Sequence, residues 1–392
     1  HAARYAQIAH CLAASTAITG LRDPHRASRA GILFQKAGQY RRAQQYASQA
    51  LDLARERFPG DNAVLARLYS NLGAVWGSLR DHERQLDCFE AARALLERMK
   101  PADQLALAAC YRDLGTCHGS LGRHQLELEY QQRALQLRTE LLPPDHPDIL
   151  DSYSRVGGAM CHTKDYRGGL DLQKKALHLR EQLLPPDHLD LAASHINLAS
   201  ACHCLRRDRE ALDHLLTALR IRQAKLPENH PDLAQAHRNL GLIYHELGNL
   251  PSALEHHLRC LQIRREILSG DDPLLLQACA DVAELYGLLG EHETELDYFL
   301  QLLELQRDFL PEDHPDRIAP YRGAARAYGR LGRLEEQLIF LRKAARNGDT
   351  DSMNQLAKVL LRDGQYPEGI HWLNQAVRQK DVQAAYLLGS LY

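Results

Sequence analysis

Residues Leu142–Leu150 read LPPDHPDIL, and the phrase returns as LPPDHLDL from Leu184, LPENHPDL from Leu226, LSGDDPLL from Leu268 and LPEDHPDR from Leu310. Each copy starts 42 residues after the last. Alone, a histidine and a carboxylate flanking a proline would suggest a catalytic corner or a partner-binding loop. A fixed period instead makes the phrase a joint between copies of one supersecondary unit. Pro147, Pro231 and Pro315 then stand at the first position of a helix, where no backbone N–H is needed. Asp148, Asp232 and Asp316 complement the helix dipole, Asp145 or Asp313 is the expected cap, and the histidine is expected to pack between units or to bond a loop carbonyl.

Between the joints the same register carries an apolar–small pair: Leu72-Gly73, Leu114-Gly115, Val156-Gly157, Leu198-Ala199, Leu240-Gly241, Val282-Ala283 and Ala324-Ala325. Three residues after the small one stands a larger side chain, as at Trp76, Met160, Tyr244, Tyr286 and Tyr328. A second small residue follows at Ala50, Ala92, Ala134, Ala176, Ala218, Cys260 and Ala344. These spacings put large and small residues on one helical stripe, with a turn such as GNLPSAL from Gly248 between two helices.

The L-G-x-x-Y pattern, a turn, and small residues on a second helix resemble the tetratricopeptide repeat. The 42-residue spacing with LPxxHPD resembles its kinesin light chain type. Several copies depart from the pattern, with His118 or Cys202 at the tyrosine position. The resemblance implies an all-α, right-handed superhelical solenoid of antiparallel helical hairpins. About eight units are expected over residues 16–345, with residues 1–15 ending a preceding repeat. Beyond 345 the spacing shortens, and AARNGDTDSMNQLAKVLL, Trp372 and DVQAAYLLGSLY resemble Sel1-like repeats, so 346–392 is expected to be a Sel1-like or short, truncated hairpin. The chain opens on His1 and closes inside an amphipathic pattern, which reads as a segment of something longer.

Composition narrows the function. The chain has 392 residues, 45% hydrophobic and 25% charged, with a net charge of −2. That balance gives no reason to expect nucleic acid as partner, and no apolar run is long enough for membrane insertion. Nine cysteines without a CxxC favour reduced, packed thiols and a cytoplasmic setting. No phosphate-binding loop, dinucleotide fingerprint, nucleophile elbow or HExxH is present, so no enzyme activity and no cofactor are expected. Cys161-His162, Cys202-His203-Cys204 and His245-Glu246 bring Cys161, His203 and His245 into one register. Packed helices lie about 8–10 Å apart, so coordination across three repeats would be strained. Packing is the preferred reading of this group, and no metal is expected.

The resemblance places ligand-facing residues on the concave side of first helices, beside the apolar–small pair. Those positions hold Asn71, Asn197 and Asn239, then Arg112, Arg155, Arg238, Arg322, Arg326 and Arg330, with His162, His203 and His245. Asparagine amides match an extended peptide backbone and guanidinium forks match carboxylates. The expectation is a protein-interaction scaffold whose groove binds a linear, acidic, extended or helical segment of a partner protein. The alternative is a sensor or autoinhibitory repeat domain of a larger protein, such as a nucleotide-dependent switch or a protease. Arg322, Arg326 and Arg330 share one face at four-residue spacing, with Glu335 or Glu336 as the expected counter-charges if the row is structural.

Overall fold

A computed structural model describes Tyr5 and residues 23–99 and 101–391. The expected repeat end at 1–15 falls outside the described residues, Tyr5 excepted. The described residues divide into two compact units, to Arg206 and from Arg207. They contain 19 α-helices and one 3₁₀ turn, and no strand.

The first unit holds α1 (Pro24–Lys36), α2 (Tyr40–Arg57), α3 (Asn62–Ser78), α4 (His82–Arg98), α5 (Gln104–Ser120), α6 (His124–Leu141), α7 (Pro147–His162), α8 (Tyr166–Leu183) and α9 (Leu189–Cys204). The second holds α10 (Asp208–Lys225), α11 (Pro231–Glu246), α12 (Leu250–Ile267), α13 (Pro273–Leu289), α14 (His292–Arg307), α15 (Ile318–Arg330), α16 (Leu334–Arg346), α17 (Thr350–Arg362), α18 (Tyr366–Arg378) and α19 (Val382–Gly389). Within each unit every helix packs on the next in the chain, and first helices of successive hairpins, such as α7 and α9, also touch. From α15 to α18 the helices shorten to 13 residues, against 16–18 from α2 to α14.

The pattern read from the sequence is the hairpin interface. Ala50, Ala92, Ala134 and Ala176 in the first unit and Ala218, Cys260 and Ala344 in the second are at most 1% exposed. A methyl group at Gly115 would fall 2.6 Å from Gln131, and one at Gly241 2.3 Å from His257. The small residue therefore makes room for a larger one across the hairpin. Three residues later, a ring on the first helix stacks on a ring of the second: His118 on Tyr130, Tyr244 on His256, Tyr286 on Tyr298. His118 thus keeps the aromatic role of the tyrosine it replaces.

The joints correct one expectation. The helix cap is the histidine itself, not Asp145 or Asp313. Nδ1 of His146, His188, His230 and His314 accepts the N–H two residues on, at 3.1–3.2 Å. In the divergent copy Asp272 accepts from the Leu274 N–H at 2.8 Å. A second fastening is invisible in the apolar pattern. Near the end of four second helices, α6, α10, α12 and α14, a largely buried side chain reaches the carbonyl ten residues ahead, in the first turn of the next hairpin: Arg138 to Asp148 at 3.0 Å, Arg222 to Asp232 at 2.7 Å, Arg264 to Leu274 at 2.7 Å, Gln306 to Asp316 at 3.2 Å. Arg180 instead bonds the hydroxyls of Ser154 and Ser194.

Candidate functional site

Three of the residues singled out in the sequence come together in the second unit. Arg322, Arg326 and Arg330 on α15, with Arg362, Gln355, Asp351 and Asp363 from α17 and its end, line a cavity of about 910 Å³. The arginine row has a counter-charge, but not the one expected. Glu336 pairs with Arg333 instead. The fully buried Glu295 of α14 accepts from Arg326 Nε and Nη2 at 3.0 and 2.9 Å, and its other oxygen lies 3.5 Å from Arg330. His292 Nδ1 lies 3.1 Å from that second oxygen. Gly287 leaves space for the carboxylate, since a Cβ there would fall 2.6 Å from it. One buried negative charge thus anchors two guanidiniums that remain 45% and 42% exposed. Arg322 meets Asp351 at 3.4 Å and Asp349 at 3.8 Å.

In the first unit Arg155 and Asn197 line a cavity of about 530 Å³ with Thr116, Ser120, Glu127 and His162. Arg155 donates to Asp151 at 2.7 Å, and Arg112 to the adjacent Asp113 at 2.7 Å. Asn71 donates to Ser28 Oγ at 3.1 Å. In the second unit Arg238 bonds Asp281 at 3.2 Å, and Asn239 accepts from Gln235 at 2.7 Å. These residues sit at the expected register, but most are engaged within the fold.

The Cys161, His203, His245 register has a packing explanation. Where the first helix carries glycine, the second supplies an amide or carboxylate: Gly77 faces Gln85, Gly119 faces Glu127, Gly287 faces Glu295, Gly329 faces Gln337. Where the first helix carries the larger Cys161, the second shrinks to Gly169, whose added methyl would lie 2.6 Å from the sulfur. His245 is matched in the same register by Ala253. Burial, with Cys204 nearby, pushes the Cys161 thiol up to about 11. Burial likewise raises Cys88 and Cys117 to about 11 and Cys110 to about 12. These thiols stay protonated and inert.

The sequence reading missed Glu127, Glu295 and Arg362. A signal existed: His124 and His292, Glu127 and Glu295, Gly119 and Gly287 all recur four periods apart.

Fold and surface together define a helical-hairpin repeat protein whose exposed faces carry clustered polar groups. Tetratricopeptide-repeat family models match residues 107–148, 148–224 and 232–308, and the chain is a tetratricopeptide-repeat protein. Repeats of this type are commonly non-catalytic scaffolds for protein interactions. No curated protein matches the chain. Among solved structures, the apo form of RapI aligns at 12% identity and TM-score 0.57 over 91% of this chain and 97% of its own. Rap protein complexed with Competence and Sporulation Factor aligns at 16% and 0.54 over 86% and 88%. Kinesin light chain TPR-like repeats of Podosopora anserina align at 22% and 0.49 over 52% and 96%. At these identities the likeness is one of fold. No helix among the described residues is long and apolar enough to cross a membrane.

Proposed function

We propose that the chain is a non-catalytic interaction scaffold and that the face between α15 and α17 binds a linear, acidic segment of a partner protein. The carrying observation is the cavity lining, which sets four arginines against two aspartates, Asp351 and Asp363. Asp363 already accepts from Gln365, while Arg362 has no partner among the described residues. Guanidinium forks held in place by a buried carboxylate have lost side-chain freedom before a ligand arrives, which lowers the entropic cost of binding. Arg155 and Asn197 are proposed as a second contact surface, in the first unit. The remaining register residues Asn71, Arg112, His203, Arg238, Asn239 and His245 belong to the proposed surface with a lesser role, because structural partners already occupy several of them. Residues 16–345 form the repeat array in this reading and 346–392 a Sel1-like ending, in a cytoplasmic protein.

Arg326 and Arg330 are poor test positions, since reversing them would leave Glu295 buried among like charges. Arg362 is exposed and Arg322 half-exposed, and neither touches the buried Glu295. Peptides selected from a random display library against the immobilised protein should be enriched in Asp and Glu. Their binding should weaken with salt and fall at least tenfold, about 1.4 kcal/mol, in the Arg322→Glu/Arg362→Glu variant with an unchanged melting temperature. A selected set without acidic bias, or one indifferent to the double variant, would place the binding surface elsewhere.

A further inference from the structure

Glu127 and Glu295 occupy the same place in hairpins four periods apart, yet their surroundings differ. Both face a glycine and a histidine three residues back, His124 and His292. Around Glu295 the next first helix supplies Arg326 and Arg330. Around Glu127 the same two positions hold Gly158 and His162. Among the described residues no guanidinium pairs with Glu127. Its carboxylate, in a residue only 9% exposed, instead meets two imidazoles: Nδ1 of His162 at 2.9 Å and Nδ1 of His124 at 3.3 Å, both from Oε2. A buried carboxylate needs compensating partners, and among the described residues no guanidinium stands at Glu127 where Arg326 and Arg330 stand at Glu295.

We propose that His124, Glu127 and His162 bind one divalent transition-metal ion, Zn²⁺ by their donor set. Two neutral imidazoles and one carboxylate are the ligands of open zinc sites, and around a tetrahedral ion at about 2.0–2.1 Å the ligand atoms stand about 3.3 Å apart. One donor atom from each of the three residues lies within 4.8 Å of the others, and the two imidazole–carboxylate separations, 3.3 and 2.9 Å, are at or just inside that spacing. The ion replaces the hydrogen bonds to Oε2, drawing the two imidazoles together around it and releasing any proton held between imidazole and carboxylate to solvent. Gly158 keeps the approach open, since a Cβ there would meet nothing within 4 Å. Glu127, Gly158 and His162 also line the cavity of about 530 Å³, which serves as entry path and leaves the fourth position to water.

The site is separable from the principal acidic-segment surface between α15 and α17, which lies in the other unit, though it shares its cavity with the second contact surface at Arg155 and Asn197. The purified chain, stripped with a chelator and titrated with Zn²⁺ by calorimetry, should bind an ion that raises the melting temperature. Co²⁺ in its place should give the intense visible bands of a tetrahedral complex. Glu127→Gln is expected to fold, because Gln85 and Gln337 stand natively in that register and His82 bonds Gln85 as His124 bonds Glu127. In Glu127→Gln and in the half-exposed His162→Ala, stoichiometry should drop by one ion or affinity fall at least tenfold, with the Co²⁺ bands lost. Cys204→Ser should change neither. Absence of Zn²⁺ binding by the chain, or binding and Co²⁺ bands that survive both ligand variants, would overturn the proposal.

Discussion

At His146, His188, His230 and His314 a ring nitrogen takes the place of the side-chain oxygen that usually heads a helix. Nδ1 accepts the N–H of the aspartate two residues on while Pro147, Pro231 or Pro315 removes a donor that would have had no partner. His146→Ala should therefore cost about 1 kcal/mol in denaturant unfolding, and His146→Asp much less, since Asp272 makes the same bond. Equal losses from the two variants would show that the ring matters for packing rather than capping. A different histidine governs pH response. His237 on α11 and His256 on α12 share a hydrogen bond of 2.9 Å in place of the aromatic pair formed by Tyr111 and Tyr130. Burial, then the nearby His256 and Arg259, pushes His237 down to about 4, and burial also lowers His256 and His257. The unfolded chain takes up these protons first, so their contribution to stability is full above about pH 6.5 and is lost as pH falls toward about 4. The melting temperature should decline across that window, and His237→Tyr should flatten the decline without weakening the fold at pH 8. A slope unchanged by that variant would assign the acid sensitivity to other groups.

Between neighbouring hairpins, the fastening by Arg138, Arg222, Arg264 and Gln306 shows where a sequence pattern hides its meaning. Their 42-residue spacing is plain in the chain, but arginine and glutamine in the last turn of an amphipathic helix read as solvent-facing. The apolar stripe was legible because hydrophobic burial leaves a 3.6-residue period. The latch was not, because what buries Arg264 is one carbonyl ten residues ahead, visible only once the turn between two helices is known. Burial lowers the pKa of Arg138, Arg180 and Arg222, a sign that the charge is held away from water. Arg264→Ala, which removes both the buried methylene packing and the bond to Leu274, should cost about 2–3 kcal/mol. The half-exposed Arg259→Ala should stay within about 0.5 kcal/mol. If the two variants melt alike, the latch contributes nothing to the stacking of hairpins. The candidate site divided in the same way. The arginine row was visible as a helical face. Its buried counter-charge was not, because Glu295 reaches α15 from the preceding hairpin and only the three-dimensional stacking shows which carboxylate arrives.

Over the whole molecule the period made the hairpin order legible, and the glycine-for-side-chain exchange within hairpins decides what each exposed face can carry. Gly119 with Glu127, Gly287 with Glu295, and Cys161 with Gly169 are alternative fillings of one volume. That constraint bears on the order in which such a surface can change by successive substitutions. To move a polar group from the second helix to the first, a lineage that enlarges Gly119 before trimming Glu127 meets its carboxylate at 2.7 Å, which must swing aside and give up its histidine contacts. The reverse order leaves only a cavity open to the neighbouring groove, which is the milder penalty when water can enter it. Histories of these repeats should therefore pass through the small–small intermediate, and Gly169, whose added methyl would sit 2.6 Å from the Cys161 sulfur and 2.7 Å from the Gly157 carbonyl, shows how little room is left once the first helix has taken the volume.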